Sequence, residues 1–104
     1  MQINDFKALA EQSKIKWSVH GLERMQERNI SRADVKNCLL YGEIIEEYPY
    51  DFPLPSALIL GYTVKKGTPL HVVVGLDTDG IYLITAYFPD IGHFGPDMTT
   101  RRVK

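Results

Sequence analysis

The residue types that could do chemistry lie closest together in residues 20–28, which read HGLERMQER. On a helix each residue turns the chain by about 100°, so His20, Arg24 and Arg28 share one face with two glutamates. The opposite arc carries four apolar residues that can enter a core, Val19, Leu22, Met25 and Ile30. Arginine offers a rigid fork of donors that fits a phosphate, and histidine is the side chain that titrates near neutral pH. The spacing therefore predicts a phosphate-handling face, and the alternative is a solvated helix surface laced with Glu–Arg pairs.

Composition is typical of a small globular protein with one domain, residues 1–104. The chain of 104 residues is 44% hydrophobic and 24% charged, and its formal net charge is −1. A protein that binds long stretches of nucleic acid usually has more basic than acidic residues, so this net charge argues against one. Two or three arginines nevertheless suffice to bind a single phosphate. The single cysteine, Cys38, cannot form an internal disulfide and fits an apolar helical pattern as a core residue. With no apolar leader and no long apolar run, we expect a cytoplasmic protein without contact to a membrane.

Three helices are predicted from apolar spacing and capping residues, over Ile3–Lys14, Ser18–Asn29 and Arg32–Tyr41. Ser18 is an N-cap candidate, and Ser31 with Asp34 resembles a capping box. Asn29 tolerates the left-handed conformation that ends helices, and Gly42 is a stop signal for the third helix. The first helix, within residues 1–16, reads as an N-terminal helix or arm against the rest of the chain.

Four strands are predicted after Gly42, over Glu43–Tyr48, Ser56–Val64, Leu70–Leu76 and Ile81–Phe88. The segment PYDFPLP breaks the chain after the first of them, because three prolines in seven residues cannot belong to a central strand. Strict alternation on the last strand puts one set of side chains on a common face, namely Ile81, Leu83, Thr85 and Tyr87. The fold class is therefore α+β, with two to three N-terminal helices packed on an antiparallel sheet of about four strands.

Four short motifs together resemble a bacterial family known as domain of unknown function 4258. They are H-x2-E-R-M-x2-R-x-I-S within residues 19–31, Y-G-E-I-I-E-x-Y at 41–48, P-L-H-V-V at 69–73 and I-T-A-Y-x-P-D at 84–90. The resemblance covers residues 17–102, and the family is similar in layout to the small RelE-type ribonuclease toxins (the barnase–EndoU–colicin–RelE grouping). It implies the toxin half of a toxin–antitoxin pair, with RNA as substrate and an antitoxin protein as partner. One departure is His93, which with Phe94 stands where the family pattern has a tryptophan.

This resemblance and the helix face together suggest a metal-independent endoribonuclease. His20 is the candidate general acid or base, Arg24 and Arg28 are the candidate phosphate clamp, and Tyr87 has a hydroxyl that orients or donates a proton. Four further residues are candidate substrate contacts, Tyr48, His71, Thr85 and Asp90. No cofactor or metal site is predicted, because the three histidines lie dozens of residues apart and no Cys pair or H-E-x-x-H spacing exists.

Three of these candidates have a structural alternative. Tyr48 could stack on a base, as aromatic residues commonly do with single-stranded RNA. His71, in the middle of a predicted strand, also fits a half-buried histidine whose hydrogen bonds are satisfied within the fold. Tyr87 also fits a packing residue with its hydroxyl at the surface.

A second hypothesis for the whole chain is a non-catalytic interaction module. In that case the helix face and the PYDFPLP loop bind a protein partner, and the two glutamates between the arginines argue for it because they weaken the local field at a phosphate. Geometry separates the hypotheses. Convergence of His20, Arg24 and Tyr87 with Tyr48 or His71 in one concave site supports the enzyme, and arginines that point into open solvent support the module.

Overall fold

Three helices pack on one face of a five-stranded sheet in the computed structural model, which describes residues 2–89. The helices are α1 (Ile3–Glu11), α2 (Val19–Glu27) and α3 (Arg32–Tyr41). The strands are β1 (Ile15–Trp17), β2 (Glu43–Tyr48), β3 (Ser56–Tyr62), β4 (Pro69–Leu76) and β5 (Ile81–Tyr87). The sheet order is β1-β5-β4-β3-β2, with every neighbouring pair antiparallel except β1 and β5. The α+β prediction is confirmed, and the four predicted strands are β2 to β5.

Local capping signals place the second and third helices. The hydroxyl of Ser18 accepts a hydrogen bond from the backbone N–H of Gly21 at 2.9 Å. The Ser31 hydroxyl accepts from the backbone N–H of Asp34 at 3.0 Å, and the Asp34 carboxylate accepts from the backbone N–H of Ser31 at 3.1 Å. Asn29 lies in the left-handed region with φ of 57°. Ser18 therefore begins α2, Asn29 follows its end, and Ser31 with Asp34 begins α3, as their residue types predict.

Strand β1 was not predicted, and it changes the sheet from four strands to five. Helix α1 ends at Glu11 rather than at Lys14, and Ser13 turns the chain with φ of 56° before β1 begins. Its three residues are too few to show an alternation, so nothing in the local sequence marks them as a strand. β1 runs parallel to the first half of β5, where Trp17 is opposite Leu83. This pairing brings the start of α2 to the sheet, where the Ser18 hydroxyl donates to the carbonyl of Leu83 at 3.1 Å.

The hydrophobic core lies between the helices and the sheet. Its fully or nearly fully buried members are Phe6, Ala10, Met25, Ile30, Val35, Cys38, Leu39, Ala57, Ile59, Leu70, Val72, Val74, Ile81, Leu83 and Ala86. Met25 and Ile30 confirm the predicted apolar arc of α2, whereas the prediction for Val19 is wrong, because its side chain is 71% exposed. Since Ser18 faces the sheet, the positions three and seven residues later face it too, and Gly21 and Met25 are buried there in place of Val19.

A β-bulge decides which side chains of β5 face the helices. Val73 is opposite Thr85 but Val74 is opposite Leu83, so Ile84 is an extra residue on β5. The extra residue reverses the alternation. Ala86 therefore follows Leu83 into the core, and the predicted common face is wrong, because Thr85 and Tyr87 lie on the side of the sheet away from the helices. We call the side of the sheet that faces away from the helices the outer face, and Thr85 and Tyr87 of β5 lie on it.

The longest helix among residues 2–89 is α3, with ten residues. No helix in this part of the chain has both the length and the apolar character needed to cross a bilayer.

Candidate functional site

Strand pairing brings His71 and Tyr87 together on the outer face. The two residues are directly opposite each other in β4 and β5, and Leu60 of β3 is opposite His71 on the other side. The rings of His71 and Tyr87 meet edge to face, with 5.4 Å between centroids and an angle of 70° between planes. His71 is fully buried rather than half-buried, while Tyr87 is half-buried. His71 therefore holds Tyr87 in place and does not itself reach the surface.

Arg28 closes the open edge of β5 next to this pair. β1 ends at Trp17, so β5 has no neighbour on that side beyond Leu83. The Nη1 of Arg28, immediately after α2, donates to the carbonyl of Ala86 at 2.8 Å and to the hydroxyl of Thr85 at 3.4 Å. The guanidinium thus supplies a donor to an edge carbonyl that no strand can reach. Within residues 2–89, Nε and Nη2 of Arg28 donate no hydrogen bond, so these donors are available to a ligand.

His20 and Arg24 do not join Arg28 at the sheet. The side chain of His20 is 95% exposed, and its Nδ1 lies 3.9 Å from an oxygen of Glu23. Arg24 is 57% exposed and its Nη1 lies 3.4 Å from an oxygen of Glu27. His20 precedes Arg28 by eight residues, which is about 12 Å along a helix axis. These two side chains show the arrangement of a solvated helix surface with neighbouring charge pairs.

Tyr48 shares the outer face but lies at its opposite edge. It is opposite Ser56 in the β2–β3 pair, and its hydroxyl donates to the carboxylate of Glu46. β2 and β5 are separated by three strand spacings, about 14 Å, so Tyr48 is beyond the reach of Tyr87. Asp90 and His93 lie outside the described residues. Of the eight predicted site residues, the structure therefore gathers Arg28, Thr85, Tyr87 and His71.

A groove of about 550 Å³ opens beside Arg28, at the end of the sheet where β3 turns into β4. Three of its lining side chains are cationic, namely Arg28, Lys65 and Lys66, and the exposed ring of Phe88 lines it as well. We call this the Lys65 groove. Arg28 belongs both to the groove and, through Thr85, to the outer face. The two surfaces are therefore continuous at one corner of the molecule, which we call the Arg28 corner.

Asp34 fixes the hairpin loop that carries the lysines. Its carboxylate accepts hydrogen bonds from the backbone N–H of Val64 at 3.0 Å and of Ser31 at 3.1 Å. Burial acts to raise the pKa of Asp34, but the hydrogen bonds from Val64 and Ser31 and the nearby charge of Lys65 outweigh it, so the pKa is lowered. The carboxylate is thus ionised and engaged by backbone donors, which leaves the groove with a net positive lining.

Lys65 and Lys66 lie between two predicted strands and were given no role from the sequence. The signal that could have found them is topological. In an antiparallel meander the turn between β3 and β4 lies at the same end of the sheet as the end of β5, so adjacent lysines in that turn lie near the residues that follow β5.

Other chemistry is limited in the described part of the chain. Residues 2–89 contain no group of three or more His, Cys, Asp or Glu side chains placed to hold a metal ion. Burial raises the pKa of the Cys38 thiol to about 12, and the Sγ atom lies in the core with the Leu70 carbonyl 3.8 Å away. Cys38 is therefore the core residue that its apolar pattern predicts.

Comparison with known proteins gives one match. The model of a family described as "Domain of unknown function (DUF4258)" matches residues 17–88. That range contains the whole Arg28 corner, from Arg28 itself through the lysines of the hairpin to Tyr87 and Phe88. No curated protein and no solved structure matches the chain.

Proposed function

The chain belongs to the DUF4258 family, and we propose that it is a metal-independent endoribonuclease that acts at the Arg28 corner. The observation that carries the proposal is the position of Arg28. Its guanidinium is held at the edge of β5 by the Ala86 carbonyl and the Thr85 hydroxyl, one and two residues before Tyr87, and Arg28 also lines the groove. A held cation at this edge can stabilise the negative charge that develops on the phosphate oxygens during cleavage.

The reaction needs a proton acceptor, a cation and a proton donor. The 2′-hydroxyl of RNA gives its proton to a water molecule of the solvent and attacks the adjacent phosphorus. The bond to the 5′-oxygen breaks as that oxygen takes up a proton from Tyr87, which regains one from solvent. The products are a 2′,3′-cyclic phosphate and a 5′-hydroxyl. Arg28 would bind the non-bridging oxygens, whose negative charge grows in the transition state. Tyr87 would donate to or orient the leaving oxygen, and the buried ring of His71 would position it.

His20 does not take the proton-transfer role that the helix pattern suggested. Proton transfer by a positioned group contributes typically about 10²–10⁴-fold, but only from within hydrogen-bond distance of the reacting atom. His20 is exposed on α2 and is about 12 Å along the helix from Arg28, so the proton-transfer role passes to Tyr87. Arg24, about 6 Å along the helix from Arg28 and paired with Glu27, becomes the matched control for Arg28.

The similarity in layout between the family and RelE-type toxins extends the proposal to the role of the protein in the cell. We propose that induced expression stops growth and that a cognate antitoxin protein relieves the arrest. Growth arrest in the wild type and normal growth of the Tyr87→Phe variant are the expected results.

The direct test is cleavage of a mixed single-stranded RNA by purified protein, with and without a chelator. We expect cyclic-phosphate ends in both conditions, strong loss in Tyr87→Phe and Arg28→Met, and wild-type activity in Arg24→Met. Absence of cleavage by the wild type, or full activity in both Arg28→Met and Tyr87→Phe, would contradict the proposal.

A second candidate function is the non-catalytic interaction module, and two observations favour it. His20 and Arg24 are paired with neighbouring glutamates on an exposed helix surface. In the PYDFPLP loop, Tyr50 is 97% exposed and Phe52 is 95% exposed, which is unusual for aromatic side chains. If this loop binds a protein partner, Tyr50→Ser with Phe52→Ser removes the complex but leaves any RNA cleavage unchanged.

A further inference from the structure

We propose that the Lys65 groove is a subsite for one nucleotide of single-stranded RNA that flanks the cleaved bond. The inference rests on the proposed function for the identity of the bond, but the binding itself does not require cleavage. The ligand is unpaired RNA, and the residues that bind it are Lys65, Lys66 and Phe88.

Charge supports a phosphate in the groove. Lys65 and Lys66 follow each other in an exposed turn, and neither forms an ion pair with another residue in the range 2–89. The nearest acid in the lining, Asp34, already accepts two backbone N–H groups. No carboxylate among residues 2–89 forms an ion pair with either lysine, so the groove has a positive lining although the whole chain has a formal net charge of −1. A local cluster of positive charge attracts a phosphate even when the net charge of the chain is slightly negative.

An exposed aromatic ring supports a base beside that phosphate. Phe88 is 40% exposed at the groove, and Val64, which is 57% exposed, lines it as well. Bases of single-stranded RNA stack on such rings, and each stacked base contributes about 1–3 kcal/mol of binding free energy. Arg28 lines the groove together with Phe88 and also bonds to Thr85, so a base on Phe88 would belong to a nucleotide adjacent to the phosphate that Arg28 binds. A duplex keeps its bases stacked inside and cannot offer one to Phe88.

The hairpin is held rather than loose, which a preformed subsite needs. The backbone N–H of Val64 is bonded to Asp34, and the Thr63 carbonyl accepts from the backbone N–H of Gly67 at 3.0 Å. The backbone N–H of Thr63 donates to the Thr68 carbonyl at 2.9 Å. The turn that carries the two lysines is therefore closed at its base and tied to the start of α3.

The test measures binding of a non-cleavable probe, a fluorescent 12-nucleotide single-stranded RNA with 2′-O-methyl groups throughout. Anisotropy titrations compare the wild type with a Lys65→Ala/Lys66→Ala double variant and with Phe88→Ala. The control is a Lys7→Ala/Lys14→Ala double variant, which removes the same charge from exposed lysines away from the groove. A duplex of the same sequence is titrated in parallel.

The groove lysines are expected to account for about two counterions, so their removal lowers the slope of log K against log salt by about 1.4. Binding weakens about tenfold in that variant and about tenfold in Phe88→Ala, which is the lower part of the range for one stacked base. The control variant and the duplex show neither effect. On cleavable RNA, the double variant raises KM and leaves kcat within about twofold.

Several results would overturn the subsite. They are a wild type that binds no single-stranded probe, a salt slope unchanged in the Lys65→Ala/Lys66→Ala variant, an equal loss in the Lys7→Ala/Lys14→Ala control, and a duplex bound as tightly as the single strand. The two proposals fail separately. A wild type that binds the probe through the groove but cleaves nothing refutes the ribonuclease and retains the subsite, whereas cleavage with unchanged KM in the groove variant does the reverse.

Discussion

Replacing Arg28 with methionine is the most informative single substitution in this protein. Methionine keeps much of the aliphatic stem but removes the guanidinium, so packing changes little while the charge and its donors are lost. The substitution acts on two properties at once. It leaves the Ala86 carbonyl at the edge of β5 without its donor, and it removes the cation beside Tyr87.

The effect on stability follows from the hydrogen bond at 2.8 Å. A hydrogen bond to a charged group contributes about 1.5–3 kcal/mol when buried, and we expect about 1 kcal/mol here because Arg28 is exposed to solvent. In a domain of this size about 1 kcal/mol lowers Tm by about 4–8 °C. Arg24→Met is the matched control, since it removes only an exposed pair with Glu27 and costs about 0.5 kcal/mol or less.

Arg28→Met is expected to affect the rate of RNA cleavage more than the stability, and the two effects can be measured separately. Loss of one donor aimed at transition-state charge typically costs about 10²–10³-fold in rate. Thermal unfolding by circular dichroism and RNA cleavage are measured on the same preparations at a temperature where every variant is folded. A loss of rate without a fall in Tm would place Arg28 in the reaction but not at the strand edge. Wild-type rates and Tm in Arg28→Met, or equal effects in Arg24→Met, would refute the reasoning.

Three further predictions concern the core and the hairpin. Gly61→Ala is expected to destabilise the fold by about 1–3 kcal/mol or more in denaturant titrations, because a Cβ there would lie 2.5 Å from Sγ and 2.6 Å from Cα of Cys38. Gly67→Ala cannot serve as its control, since the backbone of Gly67 has a positive φ that strains any side chain. The Cys38 thiol, with its pKa raised to about 12, is expected to react with a thiol reagent at neutral pH only after unfolding in denaturant, and rapid labelling of the native protein would contradict its burial. Asp34 has a lowered pKa, so its contribution to stability is full above the unfolded value of 3.8 and is lost as pH falls through the lower folded value. Asp34→Asn should therefore lower the unfolding free energy at pH 7 and flatten its fall below about pH 4, and a variant with the wild-type pH profile would show that Asp34 does not hold the hairpin.

Most helices and strands were predictable because their signals are local. A cap needs a side-chain oxygen and an N–H three residues later, so Ser18 and Ser31 determine two helix starts by themselves. The left-handed turn at Asn29 and the prolines of residues 49–55 likewise act within a few residues. Short apolar runs between turn residues placed β3, β4 and β5, and the helical apolar pattern predicted that Cys38 is buried.

The candidate site depended on long-range pairing that no local pattern contains. The bulge at Ile84 exists only because β5 pairs with β4, and it moves Thr85 and Tyr87 to the outer face. Helical spacing grouped His20, Arg24 and Arg28, but only Arg28 reaches the sheet.

By itself, the sequence determined where the helices and most strands begin, and which residue types could handle a phosphate. Only the tertiary structure decided that Arg28, and not Arg24, bonds to Thr85 and Ala86 at the edge of β5 and lines a groove with two hairpin lysines. The physical reason is that capping and periodicity act over a few residues. The register around the β5 bulge arises instead from pairing with β4, and the contacts of β1 and Arg28 with β5 join residues more than fifty positions apart.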